Sequence, residues 1–120
     1  MYTFYSDARV HALASAIYRA GKITAVLCHA TCILLKTRLL VEGKTWTGFA
    51  NSEEQYADEF FGKRIQPFWI EDEARKIKET NFIAEERFKA HAVRDSNLIT
   101  GQQQFSGGSV ARLIIKALGV

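Results

Sequence analysis

The sequence predicts an α/β fold, and three observations carry that expectation. The run Ile23-Thr24-Ala25-Val26-Leu27 is apolar and β-branched without polar alternation, as in a strand covered on both faces. Apolar residues at helical spacing precede it, and the chain from Ala30 to Lys36 can continue as a helix after it. No linker separates run and helix, so the backbone must turn sharply at Cys28-His29. Helix, buried strand, tight turn and helix is the grammar of layered α/β proteins.

Taken in order, Ser6 or Asp7 can cap a first helix whose apolar positions are Val10, Leu13, Ala14 and Ile17. Gly21 supplies its stop. After the buried run, Leu39-Leu40-Val41 leads into a turn at Glu42-Gly43-Lys44, and Thr45 to Phe49 reads as a strand. Asn51 or Ser52 can cap a short helix that begins with Glu53 and Glu54 and ends near Gly62. Pro67 is placed as the first residue of a further helix, with three acids before three bases along its dipole. Asn81 to Ala84 and Ala92 to Arg94 are expected strands, the second turning at Asp95-Ser96-Asn97 into Leu98-Ile99-Thr100 as a hairpin. Gly101 to Gly108 is a loop, and Ser109 to Leu118 a last helix with one apolar face.

Length and composition bound the function. The 120 residues, 48% apolar and 24% charged, suit one small globular domain. No apolar run reaches the roughly 20 residues that cross a bilayer. The first residues lack the pattern of a secretory signal, so a cytoplasmic location is the default expectation. A net charge of +3, from 16 basic and 13 acidic residues mixed along the chain, gives no nucleic-acid footprint. Cys28 and Cys32 are expected as free thiols, and no His or Cys pair elsewhere completes a metal site around them.

Cys28 is the residue with chemical promise. At the carboxyl end of a parallel strand, a sulfur meets the amino terminus of the next helix, where ligands of open α/β sheets bind. Partly positive N–H groups there favour thiolate over thiol and can hold a developing oxyanion. Packing is the competing role of any cysteine, and Cys32, one turn further on, is assigned to the core. Trp46 and Trp69 are read as packing, His11 as a surface residue, and Ser106 as a capping turn ahead of the last helix. His91 has no triad-like neighbours in sequence.

Four blocks in order then resemble the ThiJ/PfpI family of the class I glutamine amidotransferase-like superfamily. Ala25 to Ala30 is similar to a strand running into Cys-His-Gly, and Lys44 to Phe49 with Glu53-Glu54 to a Gly-Lys-x-x-Thr-Gly-Phe segment with trailing acids. Pro67-Phe68 before an acidic helix, and Leu98 to Gln102 with Ser106 beyond, resemble two further blocks. The HchA-like glyoxalase and deglycase branch is the most similar. Ala30 stands where glycine is usual, bringing a methyl group into a crowded turn, and Gln104 where proline is usual.

The resemblance implies a flavodoxin-like three-layer sandwich with a mostly parallel sheet, lacking its amino-terminal strands, as one partial domain over residues 1–120. It implies conversion of methylglyoxal to lactate, without glutathione, through a hemithioacetal on Cys28. His29 would assist proton transfer or orient the site, and Glu54, with Glu53 as the alternative, would complete a Cys-His-Glu set. Helix-start capping is an equal reading of both acids from the residues alone. No cofactor or metal is implied. The expected partners are a small dicarbonyl substrate and either a second copy or a complementing amino-terminal half. Deglycation belongs to the same implied reading, and non-enzymatic chaperone-like holding under stress and amidotransferase or peptidase chemistry are the alternatives. The absent half would carry a glycine-rich oxyanion loop and the strands beside Ile23 to Leu27. Exposed sheet edges and an uncovered apolar face are therefore expected.

Overall fold

Strand β1 (Thr24–Leu27) lies parallel to β5 (Leu98–Gly101), and β5 in turn lies antiparallel to β4 (Ala92–Asp95). The structure, a computed structural model, describes residues 1–120. β4 and β5 form the expected hairpin, with Ser96 at the turn in the left-handed region. A second sheet pairs β2 (Thr45–Trp46) with β3 (Asn81–Phe82) in parallel. Side chains join the two sheets: Thr45 N–H donates to Asp95 Oδ2 at 2.8 Å and Thr47 N–H to Thr100 Oγ1 at 3.0 Å. The result is a mixed α/β fold in which each sheet contains one parallel strand pair.

Six α-helices surround the sheets: α1 (Tyr2–Ser6), α2 (Ala8–Arg19), α3 (Arg38–Val41), α4 (Asn51–Phe61), α5 (Ile70–Arg75) and α6 (Gly107–Leu118). None is long and apolar enough to cross a membrane. Asp7 caps α2 by accepting the Arg9 N–H at 2.9 Å, and Gly21 ends the turn after it at φ 76°. The core gathers around residues 28–36, where Cys32, Ile33 and Leu34 pack with Leu40, Trp46, Ile70 and Phe82. Trp46 is fully buried, meets Phe82 edge-on at 4.9 Å, and donates its indole N–H to Thr80.

Several expectations are corrected. β1 is not covered on both faces: Thr24 is buried, but Ala25, Val26 and Leu27 are only half-buried. Its free edge, with β5 its one strand neighbour, is by contrast the exposed sheet edge that the sequence predicts. The segment after it is a 3₁₀ helix, Cys28–Lys36, rather than an α-helix beginning at Ala30. The strand expected over Thr45 to Phe49 ends at Trp46. Beyond it, Gly48 packs against Thr31 so closely that a Cβ would come within 2.3 Å of Thr31 Oγ1. Ala50, not Asn51 or Ser52, occupies the cap of α4, because Glu53 reaches back to the Ala50 N–H at 3.1 Å. α5 starts at Ile70, its first buried side chain, three residues beyond Pro67. α6 starts at Gly107, two residues before Ser109, and Gln104–Ser106 forms a short 3₁₀ turn inside the expected loop.

Candidate active site at the end of the first strand

Leu27, the last residue of β1, is in register with Gly101, the last of β5. Gly101 is required there, since a Cβ would lie 2.9 Å from Leu27 Cβ and 2.6 Å from Val110 Cγ2. The chain leaves β1 at Cys28, whose φ of 58° is left-handed, a region costly for a residue with a Cβ. Thr31 Oγ1 donates to the Cys28 carbonyl at 2.7 Å and fixes this turn. Cys28 is half-buried and opens the 3₁₀ helix, whose first N–H groups lack intrahelical acceptors. The turn tolerates Ala30: its backbone is not left-handed, and its side chain is only half-buried.

Successive residues of a helix point apart, but the left-handed backbone at Cys28 departs from helix geometry. Cys28 Sγ lies 3.8 Å from His29 Nδ1. On the other side of the ring, His29 Nε2 lies 2.6 Å from Glu54 Oε1. The imidazole is held flat against Phe49, ring centres 4.0 Å apart. Burial works against the charged imidazole, but hydrogen bonds to Cys28 and Glu54 and the carboxylate charge outweigh it, raising His29 to about 9. Glu54 is 2% exposed, and its second oxygen, Oε2, has no partner.

The other sequence candidates lie elsewhere. Glu53 points away from His29 and takes four N–H donors in a buried cluster. Cys32 is fully buried, and burial pushes its thiol up. His11 contacts the Phe4 carbonyl at 2.8 Å. Burial lowers the His91 imidazole, and the backbone N–H of His91 donates to Ser106 Oγ. Ser106 also donates to Gln103 Oε1 at 2.7 Å, so it ties the turn before α6. No group of three His, Cys, Asp or Glu side chains is arranged to hold a metal.

Sequence reasoning missed the stacking of Phe49 on His29 and the buried amides of Gln102 and Gln103. The signal was present in part: two adjacent amides directly after an apolar strand need buried partners.

No family model matches the chain, and no curated protein matches it. Solved structures do. The crystallographic structure of APC35852 superposes with a TM-score of 0.82 at 29% identity, over 97% of this chain and 53% of that one. Glyoxalase III from Candida albicans gives 0.76 at 22% identity, over 97% and 52%. A ThiJ/PfpI domain protein from Brachyspira murdochii gives 0.68 at 20% identity, over 98% and 53%. The chain thus spans about half the length of the solved structures it matches.

Proposed function

From the premise that this chain has the ThiJ/PfpI fold over about half the length of its solved neighbours, we propose that it is the cysteine-bearing half of a glyoxalase or deglycase. Its substrates are small dicarbonyls such as methylglyoxal. The observation that carries this reading is the contact chain from Cys28 through His29 to Glu54, 3.8 Å and then 2.6 Å.

The nucleophile is the sulfur of Cys28, and the imidazolium beside it is the proton donor. Cys28 Sγ attacks the aldehyde carbon while His29 gives its Nδ1 proton to the carbonyl oxygen, forming a hemithioacetal. The free N–H groups opening the 3₁₀ helix stabilise charge on that oxygen. Neutral His29 then removes the proton from the former aldehyde carbon and returns it to the neighbouring carbon, while the hydroxyl proton passes from the former aldehyde oxygen to the ketone oxygen. The aldehyde carbon is oxidised and the ketone carbon reduced, so no outside electron acceptor enters. Water hydrolyses the resulting lactoyl thioester, releasing lactate and restoring the thiol. Glu54 holds the ring in place and stabilises its charged form throughout.

The free edge of β1 and the apolar cleft beside it support a partner. A cleft of about 680 Å³ is lined by Ile17, Ile23, Ala25, Ile114 and Leu118. Its occupant in this reading is the amino-terminal half of such a fold, which adds a strand to β1. A reducing cytoplasm suits the two free thiols.

The test is lactate formation from methylglyoxal by the chain, alone and with an added amino-terminal half. Thiol-dependent lactate, lost in Cys28→Ala, is expected. No lactate above background in either mixture would sink the enzymatic reading. Suppressed aggregation of a client protein would then favour chaperone-like holding, a reading supported by the exposure of Phe60 and Phe61.

A further inference from the structure

Glu53 sits next to the acid of the contact chain, is fully buried, and makes no ion pair. A buried carboxylate without a cation is costly unless its lone pairs are filled. Here they are filled by N–H groups alone. Oε1 accepts from Ala50 N–H at 3.1 Å and from the Gln102 amide at 3.1 Å. Oε2 accepts from Phe88 N–H at 2.9 Å and from the Gln103 amide at 2.8 Å. The four donors come from three separate segments: the start of α4, the loop before β4, and the loop after β5.

The two amides are themselves fixed. Gln102 pairs with both backbone groups of Glu85, accepting at 2.8 Å and donating at 3.1 Å. Gln103 donates to the Lys89 carbonyl at 2.7 Å and accepts from Ser106 Oγ. Gln102 directly follows Gly101, and Gly101 is in register with Leu27, which directly precedes Cys28. One carboxylate therefore ties the first turn of α4, which carries Glu54, to the strand pair whose end carries Cys28.

We infer that Glu53 is a positioning residue: it sets α4 against the end of β5 so that Glu54 reaches His29. Glu53 touches no reacting group. Its charge matters because all four neighbours donate, and an amide in its place would set one NH₂ against two of them. The structural alternative is that Glu53 contributes to folding and nothing else. This inference rests on the proposed role of the Cys28–His29–Glu54 set.

The experiment reads His29 titration by NMR and the rate of Cys28 alkylation by iodoacetamide, in the wild-type chain and in Glu53→Gln. Circular dichroism checks that each variant is folded. Folded Glu53→Gln is expected to titrate His29 closer to its ordinary value of 6.5. Its Cys28 should be alkylated more slowly than in the wild-type chain at neutral pH. Folded variant with wild-type titration and rate would overturn the positioning role. If Glu53→Gln does not fold, Gln102→Met is read instead: it removes one donor at similar size. A lowered His29 titration there supports the inference, and an unchanged one overturns it. A wild-type His29 that already titrates near its ordinary value would remove the proposed function as well, which separates the two failures.

Discussion

Glu54 and His29 are 25 residues apart in sequence, yet Oε1 of the one lies 2.6 Å from Nε2 of the other. Against the opposing effect of burial, the hydrogen bond to Cys28 and this contact together raise His29 above an ordinary imidazole, to about 9. Folding and proton binding are linked through it. Stability from the pair is complete below the unfolded value of 6.5 and is lost as pH rises through about 9. Thermal melts from pH 6 to pH 10 should show this loss, and Glu54→Gln should flatten it. A wild-type chain equally stable at both ends would contradict the pairing.

The two cysteines should separate sharply under alkylation. Cys28 is half-buried beside the His29 ring, whereas Cys32 is fully buried and its thiol is pushed up. Peptide mapping after limited iodoacetamide treatment should find Cys28 modified first, at every pH from 6 to 8. Raising the pH through the titration of His29 removes the neighbouring cation, so the Cys28 advantage should narrow. Equal, slow labelling of both would remove the functional claim for Cys28.

Much of this was legible in the sequence because it is local. The run into Cys28, the hairpin at Ser96 and the stop at Gly21 each follow from a few neighbouring residues. The distinction between Glu53 and Glu54 was not legible, since both suit the first turn of a helix. It is decided by Gln102, Gln103 and Phe88 on one side and His29 on the other, contacts 25 to 50 residues away in sequence. The half-coverage of β1 was not legible in the apolar run itself. An apolar strand reads as covered on both faces, whichever chain provides the cover. Residues 28–36 carry the Thr31 bond to Cys28 and the close approach of Gly48, neither of which periodicity reveals.

Backbone strain at Cys28 gives a prediction opposite in sign to that for activity. A left-handed residue with a Cβ costs on the order of 1 kcal/mol, which glycine avoids. Cys28→Gly should therefore melt higher than Cys28→Ala, by about 1 kcal/mol of stability, while both lack thiol chemistry. Equal melts would mean that the turn carries no strain in solution.

The open side of β1 yields the most direct test of what the chain needs. Leu118 on α6 is 61% exposed and lines the cleft beside the strand, and Leu13, 60% exposed, stands one turn before the cleft residue Ile17 on α2. Exposed leucines are unremarkable singly, but here they extend an apolar cleft next to unpaired strand edge groups. The isolated chain should bind a hydrophobic dye and associate with itself as its concentration rises in sedimentation velocity. Charging the face with Leu13→Lys and Leu118→Lys should reduce both signals severalfold. Because both side chains are solvated, stability should change by less than about 0.5 kcal/mol each. The same pair of changes should weaken binding of an added amino-terminal half, since both associations use one surface. Dye binding and association that ignore the two lysines would place the uncovered surface elsewhere, and the aromatic face around Phe60 and Phe61 would be the next to charge.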